Sequence, residues 1–215
     1  MSVHRSLQLL PNFLPTPTQA VLLWHSLRLL SSPAQTSSQS RKQLRAWLKH
    51  NPTFPTACPS ATDPSPPLPA HPEWPFPSPA ATAWSGAHFD GVICHYREML
   101  VKPGHWPTDS PALTAALHKL YDLIPPPAGR ETDVDRASPD PPSHVLLHLL
   151  HLSGEGAIAP HVDNLEASGG TIVSLSLGGE RLLRFDKTDQ HGSPGDGEPD
   201  QLEVLLEPGT VNIQT

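Results

Sequence analysis

Cysteine is nearly absent from this chain: its 215 residues hold two, Cys58 and Cys94. Neither has a partner at the spacing of a zinc knuckle or a disulfide framework, so a reducing compartment is the default. Long apolar runs are absent too. The longest candidate, "AVLLW" continued by "LRLL", is broken by His25, Ser26 and Arg28 and falls short of the roughly 20 residues of a membrane span. Cations are in deficit, with 14 Lys and Arg against 21 Asp and Glu, a formal net charge of -7. No sequence-wide basic footprint is therefore available to neutralise a phosphate backbone, which disfavours salt-sensitive binding to duplex nucleic acid. The first residues, "MSVHRSLQLLPNF", contain one arginine, several leucines and no acid. They are weakly compatible with a short organelle presequence but lack its repeated arginines.

What the chain has in excess is proline: 28 residues, which with 14 glycines make about a fifth of the sequence. The excess is local, since eleven of the prolines fall between 52 and 79. A stretch so short of backbone donors sustains neither a helix nor a central strand and reads as an insertion. The length suits one domain, 1–215, carrying irregular inserts.

Two helices are predicted with clear reasons. "TPTQAVLLWHSLRLL" (16–30) opens with Thr and Pro at N-cap and N1 and places apolar residues at 20, 23, 24, 27 and 30. "SPALTAALHKLYDLI" (110–124) is capped by Ser110, has Pro111 at N1, and aligns Leu113, Leu117, Leu120 and Ile124. A shorter helical stretch covers 40–50. "HFDGVICHY" (88–96) reads as a strand. From 143 to 215 the pattern changes to short runs separated by Gly, Asp, Ser and Pro: "SHVLLHLLHL" (143–152), "IAPHVD" (158–163), "TIVSLSLG" (171–178), "RLLRFD" (181–186), "LEVLLE" (202–207) and "TVNIQT" (210–215). Strands that follow one another without helices predict an antiparallel barrel or double-sheet jelly roll. The polar gap 187–201 is a long loop.

A non-haem iron site needs two histidines and a carboxylate on one face of the metal, and a His-x-Asp pair at a strand end supplies two of them. The tripeptide is common here: thirteen histidines produce His71-Pro-Glu73, His88-Phe-Asp90 and His161-Val-Asp163. His71 lies in the proline tract. His161 is the one inside the β-rich third, preceded by a turn at Gly156 and by Pro160 and followed by a second turn at Gly169–Gly170. Its bland alternative is a surface turn with an Asx-type hydrogen bond. His144, His148 and His151 have the i, i+4, i+7 spacing of a helical zinc cluster, against which their strand-like surroundings count. Trp74, Trp84 and Trp106 flank the proline tract and suit either loop anchoring or an aromatic ligand surface. Arg184 is either at a substrate mouth or simply exposed.

The stretch "HVLLHLLHLSGEGAIAPHVDNLEASGGTIVSLSLGGERLLRF" with "LEVLLEPGTVNI" resembles the core of the AlkB-like 2-oxoglutarate/Fe(II) dioxygenases, and is most similar to the mitochondrial, seventh-homologue branch of that family. Gly156, Ile158, Pro160, His161, Val162 and Asp163 match the ligand motif. Fainter similarity runs through "PNFLPTPTQ" and "HFDGVICHYRE", leaving 52–79 and 187–201 as insertions. The resemblance implies a mainly β, α+β fold: a double-stranded β-helix (jelly roll) core over 143–215 with the N-terminal helices packed outside. It implies Fe(II) held by His161 and Asp163, with 2-oxoglutarate and dioxygen as co-substrates. It places Asn212 where the branch has a tyrosine that bonds 2-oxoglutarate. It implies mitochondrial location, the alternative being cytoplasmic, and roles in fatty-acid metabolism and in programmed necrosis after alkylation DNA damage.

In the family the distal histidine ligand and the 2-oxoglutarate arginines lie on strands beyond the position of Thr215. The residues at hand thus describe an incomplete core ending in mid-strand with unpaired edges, and the expectation is that the 215-residue chain does not turn over 2-oxoglutarate. The alternative is a non-catalytic scaffold or interaction protein on the same fold. The acidic balance ranks a protein substrate above duplex DNA, and a monomer is expected.

Overall fold

The structure is a computed structural model in which residues 7–31, 82, 84–126, 129, 134–162, 170–186 and 201–215 are described. The proline tract, the helix expected at 40–50, nearly all of the 187–201 loop and Asp163 lie outside the described residues. Strand β1 (Leu7–Leu10) leads into helix α1 (Thr16–Leu30). Its N-cap is Pro15, one residue before the expected Thr16. No side chain caps the end; the Pro15 carbonyl accepts from Gln19 N at 3.0 Å, and Pro17 stands in the first turn, where a missing N–H removes no helical bond. Arg28, at the negative end of the helix dipole, lies 4.9 Å from the Trp24 ring centroid.

Helix α1 is buried around most of its circumference rather than along one stripe. Val21, Leu22 and Leu30 enter the core shared with helix α2 (Pro111–Tyr121), while Leu23 approaches Gly178. Neighbours on several sides override the narrow periodicity read from the sequence. Helix α2 forms as expected at its start: Ser110 Oγ accepts from Leu113 N, and Leu113 and Leu117 are fully buried. It stops at Tyr121, where Leu123 and Ile124 bond three residues back ahead of the prolines.

Strands β2 (Ser85–Ala87), β3 (Ile93–Val101) and β4 (Leu147–Ile158) form one sheet in that order. Met99, Val101, Leu147 and Leu149 on one of its faces pack on the core with α1 and α2. The expected strand over 88–96 is instead a hairpin: 88–92 turns between β2 and β3. Asp90 accepts from Val92 N at 2.9 Å and Gly91 takes φ +73, so Asp-Gly turn chemistry prevails over the β-branched run that follows.

Strands β5 (Ile172–Leu175), β6 (Arg181–Asp186), β7 (Gln201–Leu206) and β8 (Val211–Gln214) complete the described set. The order β1-β8-β5 makes a second sheet and β6-β7 a hairpin, and every described pairing is antiparallel. The unpaired edge expected at 210–215 is not there: β8 is flanked by β1 and β5 on both sides. Gly209, at φ +85, allows the entry to β8 and is bound from two directions, by Phe13 N at 2.9 Å and to Ser176 O at 2.8 Å. With helices on a mainly β framework, the fold class is α+β.

Candidate functional site

The route to His161 is set by an irregularity in the β3–β4 ladder. Cys94 pairs with Ala157 but Tyr96 with Leu152, so His95 alone stands opposite Ser153–Gly156. This bulge, not the reverse turn expected from Gly156, lets β4 continue to Ile158. Ile158 is as far as the strand expected at 158–163 extends; Ala159 N still bonds Val92 O at 2.7 Å, and Pro160 then stops the ladder. His161 follows, exposed, with Nδ1 at 2.9 Å from the Ala159 carbonyl. A donor at Nδ1 assigns the lone pair to Nε2 and orients the ring, as second-shell carbonyls do for metal-ligating histidines. Asp163 lies outside the described residues, and among the described residues no group of three His, Cys, Asp or Glu could hold a metal ion.

Asn212 belongs to the other sheet. It is 2% exposed at the middle of β8, between Leu9 and Ser174, and its Oδ1 accepts from Gln214 Nε2 at 3.1 Å. Its amide is thus engaged within the strand.

The other histidine candidates separate. His144 is in a turn before β4, and His148 and His151, of opposite parity on the strand, face opposite sides of the sheet, which excludes a helical zinc cluster. On the face turned away from the helices, Glu98 gathers three partners. His148 Nε2 lies 3.1 Å from Oε2, His88 Nε2 lies 3.8 Å from Oε1, and Tyr96 donates its hydroxyl at 3.4 Å. His88 Nδ1 is 2.8 Å from Asp90 Oδ1. The Val92 N–H, and then His88, hold the Asp90 carboxyl below its usual range.

The opposite face carries a cluster that sequence reasoning missed. Arg97 Nη2 is 2.8 Å from His151 Nδ1, its Nη1 donates to Ser31 Oγ at 3.3 Å, and its guanidinium carbon lies 5.4 Å from the Trp84 ring centroid. Arg181 Nη2 donates to the carbonyls of Ser153 at 2.7 Å and Leu152 at 3.3 Å. Burial pushes Arg97 down to about 10. Burial first, then the charges of Arg97 and Arg181, push His151 down to about 4. The available signal was parity: Arg97 shares its face with Met99 and Val101, so an arginine sits on the inward register of a strand.

This depression has a consequence for acid stability. Between the ordinary value of 6.5 and about 4, the unfolded chain binds a proton at position 151 that the folded chain does not. Stability is therefore complete above pH 6.5 and falls as the pH drops to about 4; His25, also lowered to about 4 by burial and then Arg28, acts in the same direction. The expected result is that His151→Gln loses less stability than wild type between pH 7 and 4.5, by about 2 kcal/mol in urea unfolding. Equal losses would show that His151 protonates as readily in the folded state.

The remaining candidates are ordinary. Arg184 pairs with Glu203 across the β6–β7 hairpin at 3.2 Å, both exposed. Cys94 Sγ meets the Ala157 carbonyl at 3.6 Å, and Trp106 is buried in the core at 3% exposure. No described helix is long and apolar enough to cross a membrane.

Comparison with known proteins finds relatives over part of the chain. No family model matches, and no solved structure matches. The chain is 39% identical over 75 residues to the bovine (Bos taurus) alpha-ketoglutarate-dependent dioxygenase alkB homolog 7, mitochondrial, covering 34% of this chain and 31% of that protein. It is 39% identical over 82 residues to the mouse (Mus musculus) protein of the same name, covering 36% and 34%. The match thus spans about a third of the length of these relatives, and what it supports is that part of this chain is related to AlkB-like dioxygenases.

Proposed function

We propose that the chain is part of an Fe(II)- and 2-oxoglutarate-dependent dioxygenase of the AlkB-like kind, of the oxidative hydroxylation or demethylation class, with His161 and Asp163 as two of its iron ligands. The observation that carries the reading is the His161 ring, fixed by its 2.9 Å contact from Nδ1 to the Ala159 carbonyl at the exposed end of β4. Nε2 is then the nitrogen with a lone pair, and a carboxylate two residues on completes two thirds of a facial triad. The partial identity with two proteins named as alpha-ketoglutarate-dependent dioxygenases supports it.

Iron with 2-oxoglutarate and dioxygen would supply oxidation of a substrate C–H bond. The chain's part is positional. The bulge at Ser153–Gly156 carries β4 to Ile158, the Ala159–Val92 bond holds the exit, and the Ala159 carbonyl orients the imidazole. On this reading the antiparallel strands belong to one double-stranded β-helix domain over 1–215, with insertions at 52–79 and 187–201. The chain acts in mitochondria, as the names of the two relatives suggest, and as a monomer; the net charge of -7 favours a protein over duplex DNA as substrate.

Anaerobic titration with Co(II), followed by its ligand-field absorption, tests the ligand pair. Wild type is expected to bind, and His161→Ala and Asp163→Ala each to weaken binding by at least about tenfold. Unchanged affinity in either variant removes that residue from the site. The second reading, a non-catalytic scaffold, rests on Asn212, whose amide is buried and bonded to Gln214 where a co-substrate contact would be needed. It gains if wild type binds no Co(II).

A further inference from the structure

At the start of β6, Arg181 bonds the Leu152 and Ser153 carbonyls of β4, so that two guanidiniums, Arg97 and Arg181, act on the His151 imidazole. Arg136 pairs with Asp122 at 2.8 Å and Arg184 with Glu203 at 3.2 Å, but among the described residues Arg97 and Arg181 have no acidic partner. Both are near enough to His151 to repel its protonated form. Arg97 Nε is buried and has no acceptor. A buried donor left unsatisfied costs about 1–3 kcal/mol, and more on a charged group. His151 cannot supply the missing negative charge: its Nδ1 accepts from Arg97, so its Nε2 carries the proton and is itself a donor.

We propose that Arg97, His151 and Arg181 form a binding site for a small oxyanion, a carboxylate or phosphate group, with the Trp84 ring as one wall. The chemistry is that of a planar guanidinium fork, which meets two oxygens of such a group in parallel, while the second guanidinium and the imidazole N–H add donors. Bound oxyanion also supplies an opposing charge to the buried Arg97 guanidinium. The low proton affinity of Arg97, produced by burial without an opposing charge, agrees with a cation awaiting its counter-ion. Arg97 and His151 face the helices, on the side of the sheet opposite Glu98 and His148, and the site shares no residue with His161 and Asp163.

The test is thermal unfolding of the 215-residue chain in increasing inorganic phosphate, and separately in succinate, with ionic strength held constant by sodium chloride. A saturable rise in Tm of about 4 °C is expected with at least one of them, and no rise in Arg97→Met or Arg181→Met. A response to phosphate alone, to succinate alone or to both identifies the group that binds. No response to either, or the same response in a variant, overturns the proposal. Arg181→Met keeps the test open if Arg97→Met fails to fold, because among the described residues Arg181 bonds only the Leu152 and Ser153 carbonyls.

Discussion

Gly156→Ala is expected to destabilise the chain by about 3 kcal/mol, a large part of the stability of an ordinary domain. A Cβ at this position would stand 2.7 Å from the His95 carbonyl oxygen and 2.8 Å from Ser153 N, both backbone atoms. No rotamer change relieves such contacts; one strand of the bulge must move. Gly154, two residues earlier in the same bulge, has nothing within 4 Å of the corresponding point, so Gly154→Ala is the matched control, with an expected loss under about 1 kcal/mol. Urea unfolding of the two variants settles the matter, and equal losses would refute the steric account. The chain leaving this bulge carries His161, the proposed ligand. If the bulge positions the ligand, Co(II) affinity falls in Gly156→Ala and is kept in Gly154→Ala.

Leu113→Ala is the second large expected effect, a loss of about 3–4 kcal/mol from lost burial and the cavity left behind. Leu113 is 0% exposed, at the centre of the cluster where α1, α2 and the inner face of β3–β4 meet. Leu120 shares its helical face but is only partly buried, and Leu120→Ala is expected to lose about 1 kcal/mol. Similar Tm shifts for the two would mean that the core closes equally over both. No periodicity argument separates them, since each belongs to the same apolar stripe.

That pair marks how far the sequence could be read. Ser110 and Pro111 announced the start of α2 because capping and proline geometry act within one turn of chain. The antiparallel character of the C-terminal third was readable in the same way, from short alternating runs between turn residues. Where two local signals competed, the reading failed: at 88–92 the Asp90–Gly91 turn won over the apolar run beside it. Among the candidate residues, His161 drew attention through its motif and neighbours. Arg97 and Arg181 were not, because an arginine becomes notable only when its missing counter-charge is known, and that depends on residues far away in sequence.

The sequence by itself determined the start of α2, the alternating strands of the C-terminal third, the proline-rich composition of 52–79, the acidic balance, and the His161-x-Asp163 pair. Each of these depends on a few adjacent residues or on composition alone. Only the tertiary structure decided that β8 lies between β1 and β5, that Gly156 forms a bulge rather than a turn, that α1 is buried on most sides, and that His151 feels two arginines which have no acidic partner among the described residues. The physical reason is common to all four. Strand register, close backbone approach and the electrostatics of buried groups are set by contacts between residues distant along the chain, to which local propensity is blind.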